Sequence, residues 1–140
     1  AQFVLYRIPK NMSSLIVKFF SKYRRFFTKI WPKVYVNKKD FSENLEKIIT
    51  EAKKHTNRVV LISILPTSKE NALRSYGFSD NIKQYGEIIS DRCKSLNCIY
   101  LDLSENKKNE NFLLSDGIHI NKSCHKYIAS KLRTLCVEAN

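Results

Sequence analysis

Arg58-Val59-Val60-Leu61-Ile62-Ser63-Ile64-Leu65 is a near-continuous run of β-branched and aliphatic residues. Such a run, without polar alternation, suits a strand buried on both faces of a parallel sheet. Downstream, Cys98-Ile99-Tyr100-Leu101-Asp102-Leu103 reads as the next strand. Between the two, Pro66 to Phe78 reads as a loop punctuated by Pro66, Ser68, Asn71 and Gly77. Ser79 or Asp80 then caps a helix to about Ser95, with Ile82, Tyr85, Ile88 and Ile89 inward. Upstream, Asp40 or Ser42 opens a helix to about His55, with Phe41, Leu45, Ile48, Ile49 and Ala52 on its inner face. Val34-Tyr35-Val36 before it reads as extended, and Phe3-Val4-Leu5-Tyr6 as the end of a strand. Ser104 to Asn111 is a polar loop, and Asn121 to Cys136 carries the last helix. Strands alternating with helices give an α/β domain with a parallel sheet of about three strands, spanning residues 1–140. So small a sheet leaves one long edge uncovered. Either a missing N-terminal segment or partner chain supplies more strands, or a helix shields that edge.

The helix available for that task lies between residues 13 and 31, capped by Asn11 or Ser13 and stopped by Pro32. Leu15, Ile16, Phe19, Phe20, Tyr23, Phe26, Phe27, Ile30 and Trp31 trace one face at helical spacing. Lys18, Ser21, Lys22, Arg24, Arg25, Thr28 and Lys29 occupy the other. The helix has three readings: packing on the sheet or over a pocket, lying on an anionic membrane surface, or meeting a missing segment or partner chain.

The chain of 140 residues carries a formal charge of +12, with 43% hydrophobic residues and only 3 Gly and 3 Pro. That composition is globular and argues against a turn-rich all-β protein. Every charged residue from Arg7 to Lys39 is basic, and from Asp40 onward the signs are mixed. Such a block attracts polyanions or anionic lipid, or is simply a solvated face. No nucleic-acid-binding module accompanies it, so no nucleic-acid partner is expected. Cys93, Cys98, Cys124 and Cys136 lack zinc-site spacing and read as reduced thiols of a cytosolic protein. No metal or other cofactor is expected. The start Ala1-Gln2-Phe3-Val4 is not a signal peptide, and it reads as a chain beginning inside a longer frame or one with its Met trimmed.

In open α/β sheets, sites gather beyond the carboxyl ends of the strands. There lies Leu113-Leu114-Ser115-Asp116-Gly117-Ile118-His119-Ile120-Asn121. Asp116 and His119 are three residues apart across a glycine, so one turn can set the carboxylate beside the imidazole. A hydroxyl within reach would make His119 a general base. Asp-Gly is also common turn chemistry, and an Asp-x-x-His spacing often has no catalytic duty. Ser63 and Ser68 lie near enough in topology to be asked about, whereas Ser115 sits too close to the pair to be its nucleophile. His125 reads as structural, hydrogen-bonded under the last helix. Tyr76 and Phe78 read as loop packing, with substrate contact as the alternative.

The longer string Asp116-Gly117-Ile118-His119-Ile120-Asn121, with Cys124-His125 and the helix through Leu132, resembles the closing block of the SGNH (GDSL-type) hydrolases. Cys124 stands where that block has a glycine. Val59 to Thr67 resembles the family's fourth strand and its Pro-Thr turn, and Asn81 to Tyr85 resembles a helix carrying Asn and Tyr. Val34 to Leu45 is similar to the stretch before the family's third long helix. The resemblance covers most of the chain after about Val34. It implies a three-layer α/β/α fold of SGNH or flavodoxin-like type, here N-terminally incomplete. It also implies a serine ester hydrolase acting on small acyl esters or O-acetylated carbohydrates, with His119 as base and Asp116 orienting it. The family's Gly-Asp-Ser, glycine and Gly-x-Asn blocks have no counterpart in these residues, so the nucleophile is unknown and comes from outside them. The rival reading is a catalytically degenerate relative that works as a binding or membrane-surface module through its basic helix.

Overall fold

The computed structural model describes residues 10–32, 34–104 and 112–137. Its elements run α1 (Lys10–Lys22), α2 (Arg24–Ile30), α3 (Lys38–Lys53), β1 (Val60–Ile62), α4 (Lys69–Arg74), α5 (Phe78–Ser95), β2 (Ile99–Leu101) and α6 (Lys122–Val137). The fold is mixed α/β around a two-stranded parallel sheet, with Val60, Leu61 and Ile62 registered against Ile99, Tyr100 and Leu101. Parallel neighbours need a long crossover, which α4 and α5 supply. Ser63 extends the ladder: its amide donates to the Leu101 carbonyl (3.0 Å), and its buried Oγ accepts from the Leu103 amide (2.7 Å).

The core is divided by strand alternation. Leu101 and Leu103 point to one side, into a cluster with Phe112 and Cys124 that Tyr127 and Ile128 of α6 complete. Tyr100 points the other way, toward Ile82, Gly86 and Ser90 of α5. On that side α3 packs along α5, and Ile49, Ile89 and Cys93 are buried. Arg92 ties the two helices by a 2.8 Å ion pair to Glu46 and a 2.8 Å bond to Ser42. Lys53 donates to the Leu96 and Asn97 carbonyls, capping the end of α5 with a cation. Tyr85 donates to the Val36 carbonyl and stacks edge-on against Phe41.

Several sequence expectations are corrected here. The run 58–65 is not buried on both faces, for Ile62 and Ile64 are exposed. Among the described residues β1 has one neighbour only, so its other edge is bare. Among the described residues two strands form; Val34–Val36 lies outside the sheet, and the strand expected at Phe3–Tyr6 falls outside the described residues. The segment 66–78 is not all loop, because Ser68 caps α4 by accepting from the Asn71 amide. Helix α5 starts at Phe78 behind Gly77, whose φ of +68° favours glycine, with neither Ser79 nor Asp80 as cap. Helix α3 starts at Lys38, capped by Asn37, whose Oδ1 accepts from the Asp40 amide.

The expected single helix over 13–31 breaks at Tyr23, where φ of −102° and ψ of 18° leave the helical range. Nor does it pack on the sheet. Its principal contact with the body is between α2 and α4. Phe19, Phe20, Tyr23, Phe26, Ile30 and Trp31 are all exposed. Cys93, Cys98 and Cys124 are free thiols; burial first, then the neighbouring Cys98, pushes the Cys93 thiol pKa up.

Candidate active site

Two loops leave the carboxyl ends of β1 and β2, and the candidate site forms where they meet. The second loop folds back on itself: Leu113 bridges Ile120 in antiparallel fashion, and Leu114 and His119 share a 2.7 Å backbone bond. Asn121 closes the loop and opens α6, its Oδ1 accepting from the Cys124 amide (3.1 Å) and its Nδ2 donating to the Leu113 carbonyl (3.2 Å). At the tip, Gly117 is buried with φ of +67°, and its amide donates to the Leu114 carbonyl (2.9 Å).

The first loop holds that tip in place. The Ser68 amide (3.0 Å) and Thr67 Oγ1 (2.8 Å) both donate to the Gly117 carbonyl. Asn71 Nδ2 donates to the Asp116 carbonyl at 2.5 Å. The approach is so close that a Cβ on Gly117 would overlap the Ser68 side chain and lie 2.8 Å from Asn71 Nδ2. Glycine is required here twice over, by its φ and by space. Thr67, Ser68 and Asn71 as anchors of the loop escape sequence reasoning. They lie about fifty residues upstream, and only the strand pairing brings them across.

What this support fixes is the geometry of a carboxylate and an imidazole. Asp116 Oδ1 accepts from the amides of Ile118 (2.9 Å) and His119 (3.0 Å). Its Oδ2 lies 2.5 Å from His119 Nδ1. The bond to His119, then the two amides, hold the Asp116 carboxyl down at a pKa of about 2. An ionised carboxylate only accepts, so the proton between them sits on Nδ1 whenever the ring is neutral. Nε2 is then a free lone pair. Among the described residues it has no protein partner, and the imidazole is 74% exposed. The arrangement can therefore take a proton from a hydroxyl brought to Nε2, and the carboxylate stabilises the resulting imidazolium.

The other residues singled out in the sequence are placed elsewhere. Ser63 is buried and engaged by Leu103, and Ser68 is spent capping α4. Ser115 is exposed in the turn itself, beside Asp116. Among the described residues no hydroxyl is bonded to His119. Cys124, in place of a glycine, is fully buried in the core cluster, so its effect is on packing. His125 is exposed rather than bonded beneath the helix start. The exposed Tyr76 ring meets Lys29 of α2, not the site. A cleft of about 490 Å³ between α5 and the strand pair includes Ser63, Thr67, Tyr100 and Asp102. Thr67 is where it meets the site loop, and neither Asp116 nor His119 lines it.

No family model and no curated protein matches the chain. A solved structure does: the crystal structure of LAE5, an alpha/beta hydrolase enzyme from the metagenome of Lake Arreo, Spain. It aligns with a TM-score of 0.53 and 16% identity over 74% of this chain and 50% of that one. The chain thus spans half the length of that protein, and the likeness concerns the fold.

Proposed function

We propose that this chain is the acid–base portion of an SGNH-type serine ester hydrolase with a three-layer α/β/α architecture. The observation that carries the reading is the 2.5 Å contact of Asp116 Oδ2 with His119 Nδ1, with Oδ1 pinned by two amides and Nε2 open. A fold shared with an alpha/beta hydrolase enzyme is consistent with it. The serine is supplied from outside these 140 residues, because no Gly-Asp-Ser block occurs in them.

In this reading the serine Oγ attacks the carbonyl carbon of a small acyl ester or an O-acetylated carbohydrate, and His119 Nε2 takes its proton. Collapse of the tetrahedral adduct breaks the ester C–O bond, and the imidazolium returns the proton to the departing alkoxide. Water then attacks the acyl-serine with His119 again as base. Carboxylic acid leaves and the serine regains its proton. Asp116 touches no substrate; it positions His119 and stabilises its charged form. The test is hydrolysis of acetyl and short acyl esters by the full-length protein. His119→Ala should lower turnover by roughly 10⁴-fold or more while circular dichroism stays unchanged. Turnover that persists in that variant contradicts the reading.

A further inference from the structure

The arm formed by α1 and α2 meets the body through its polar side. Arg25 Nη1 donates to the Leu73 carbonyl (3.2 Å), and Thr28 Oγ1 accepts from the Tyr76 amide (2.9 Å). Within α2, at 100° per residue, these two contacts lie across the helix from Phe26 and Ile30. The ridge of Phe19, Tyr23, Phe26 and Ile30 therefore points away from the body: Phe19 is 53%, Phe26 59% and Ile30 48% exposed. An amphipathic helix ordinarily turns its apolar stripe toward the core. This one turns it outward, and an exposed apolar surface of that kind marks an interaction site.

Charge selects the occupant. No acidic residue occurs from Lys10 to Lys39. Lys18, Lys22 and Lys29 follow at steps of four and seven, forming a cationic stripe along the flank of the ridge beside Leu15 and Phe26. A second copy of this chain would bring like charges together on that flank. A bilayer with acidic headgroups satisfies both features at once, aromatic rings entering the acyl boundary while the cations meet phosphate esters. Among the described residues no helix is long and apolar enough to cross a membrane, so the arm would lie in the interface. We infer that α1 and α2 form an interfacial anchor that seats this protein on an anionic lipid surface, with the Phe19–Ile30 ridge buried and the Lys18–Lys29 stripe at the headgroups.

Trp31, the one tryptophan in the sequence, caps the end of α2 at 72% exposure and reports on the arm. The full chain is titrated with phosphatidylcholine vesicles, with and without phosphatidylglycerol, following Trp31 emission and co-sedimentation. The expected result is a blue shift and sedimentation with the phosphatidylglycerol vesicles, both weakened by salt. Replacing Lys18, Lys22 and Lys29 together by Gln should lower the affinity on the order of a hundredfold. The double variant Phe19→Ser and Phe26→Ser should abolish the blue shift with the circular dichroism spectrum retained. Equal binding to neutral vesicles overturns the inference, as does no binding to either. So does light scattering that finds a stable dimer with Trp31 already shielded in the absence of lipid.

Discussion

Helix α4 has the site loop on one side and the arm on the other, and the two are held by opposite means. The loop Phe112–Asn121 is fastened by directional bonds: Thr67, Ser68 and Asn71 reach its Asp116 and Gly117 carbonyls, and Asn121 locks its end to α6. Its base enters the core through Phe112 and Ile120, while its tip admits only glycine. The arm is rich in apolar surface and poor in fasteners, with Arg25 and Thr28 supplying its hydrogen bonds to the body. The difference teaches that rigidity follows from bonds aimed at backbone groups, not from hydrophobicity alone. A loop that must hold a carboxylate 2.5 Å from an imidazole is built the first way. A surface that must meet a deformable partner is built the second.

Substitutions on the two sides should separate sharply. On the proposed function, Asp116→Asn in the full-length protein keeps the shape but offers an N–H to Nδ1, forcing the wrong tautomer on His119. The expected loss is about 10⁴-fold in kcat, read from acetyl-ester hydrolysis with folding unchanged. Gly117→Ala adds a Cβ at φ of +67° into the Ser68 side chain. It should cost on the order of 2–4 kcal/mol, measured as a lower urea midpoint at unchanged slope. Asn121→Ala removes the cap of α6 and the bond to Leu113, worth about 1–2 kcal/mol in the same experiment. Phe26→Ser in the arm should change folding stability without lipid by less than about 0.5 kcal/mol. A loss as large as that of Asn121→Ala would mean the ridge is packed after all.

Acid sharpens the comparison further. The Asp116 pKa, near 2, lies below the ordinary carboxyl value of 3.8. The contribution of its ionised form to the folded loop is therefore complete above about pH 4 and is lost as pH falls through about 2. Amide exchange at Ile118 and His119 should stay protected, relative to the Asp116→Ala variant, down to pH 3, while the arm, with no acidic residue, shows no change over the same range.

How much of this was legible in the sequence depended on how local each feature is. Asp116 and His119 are three residues apart, and turn geometry alone brings them together, so the pair is readable from the chain. Their supports are not, because Thr67 and Asn71 arrive through the parallel pairing of β1 with β2, a non-local event. Periodicity grouped Phe19, Tyr23, Phe26 and Ile30, which share an exposed face, but Trp31 lies beside Arg24 and Thr28. Periodicity carried no information on what covers that face, and the expectation of packing on the sheet failed there. The run 58–65 misled for the same reason: composition marks residues suited to burial, but Ile62 and Ile64 are buried only where a neighbouring strand exists.

The direct test of the central claim is the tautomer of His119. Nitrogen-15 NMR of histidine-labelled protein, at a pH where the ring is neutral, distinguishes a proton on Nδ1 from one on Nε2. The account predicts Nδ1–H with Nε2 bare, and loss of that preference in Asp116→Ala. A proton on Nε2, or a freely averaging ring indifferent to Asp116, would contradict it.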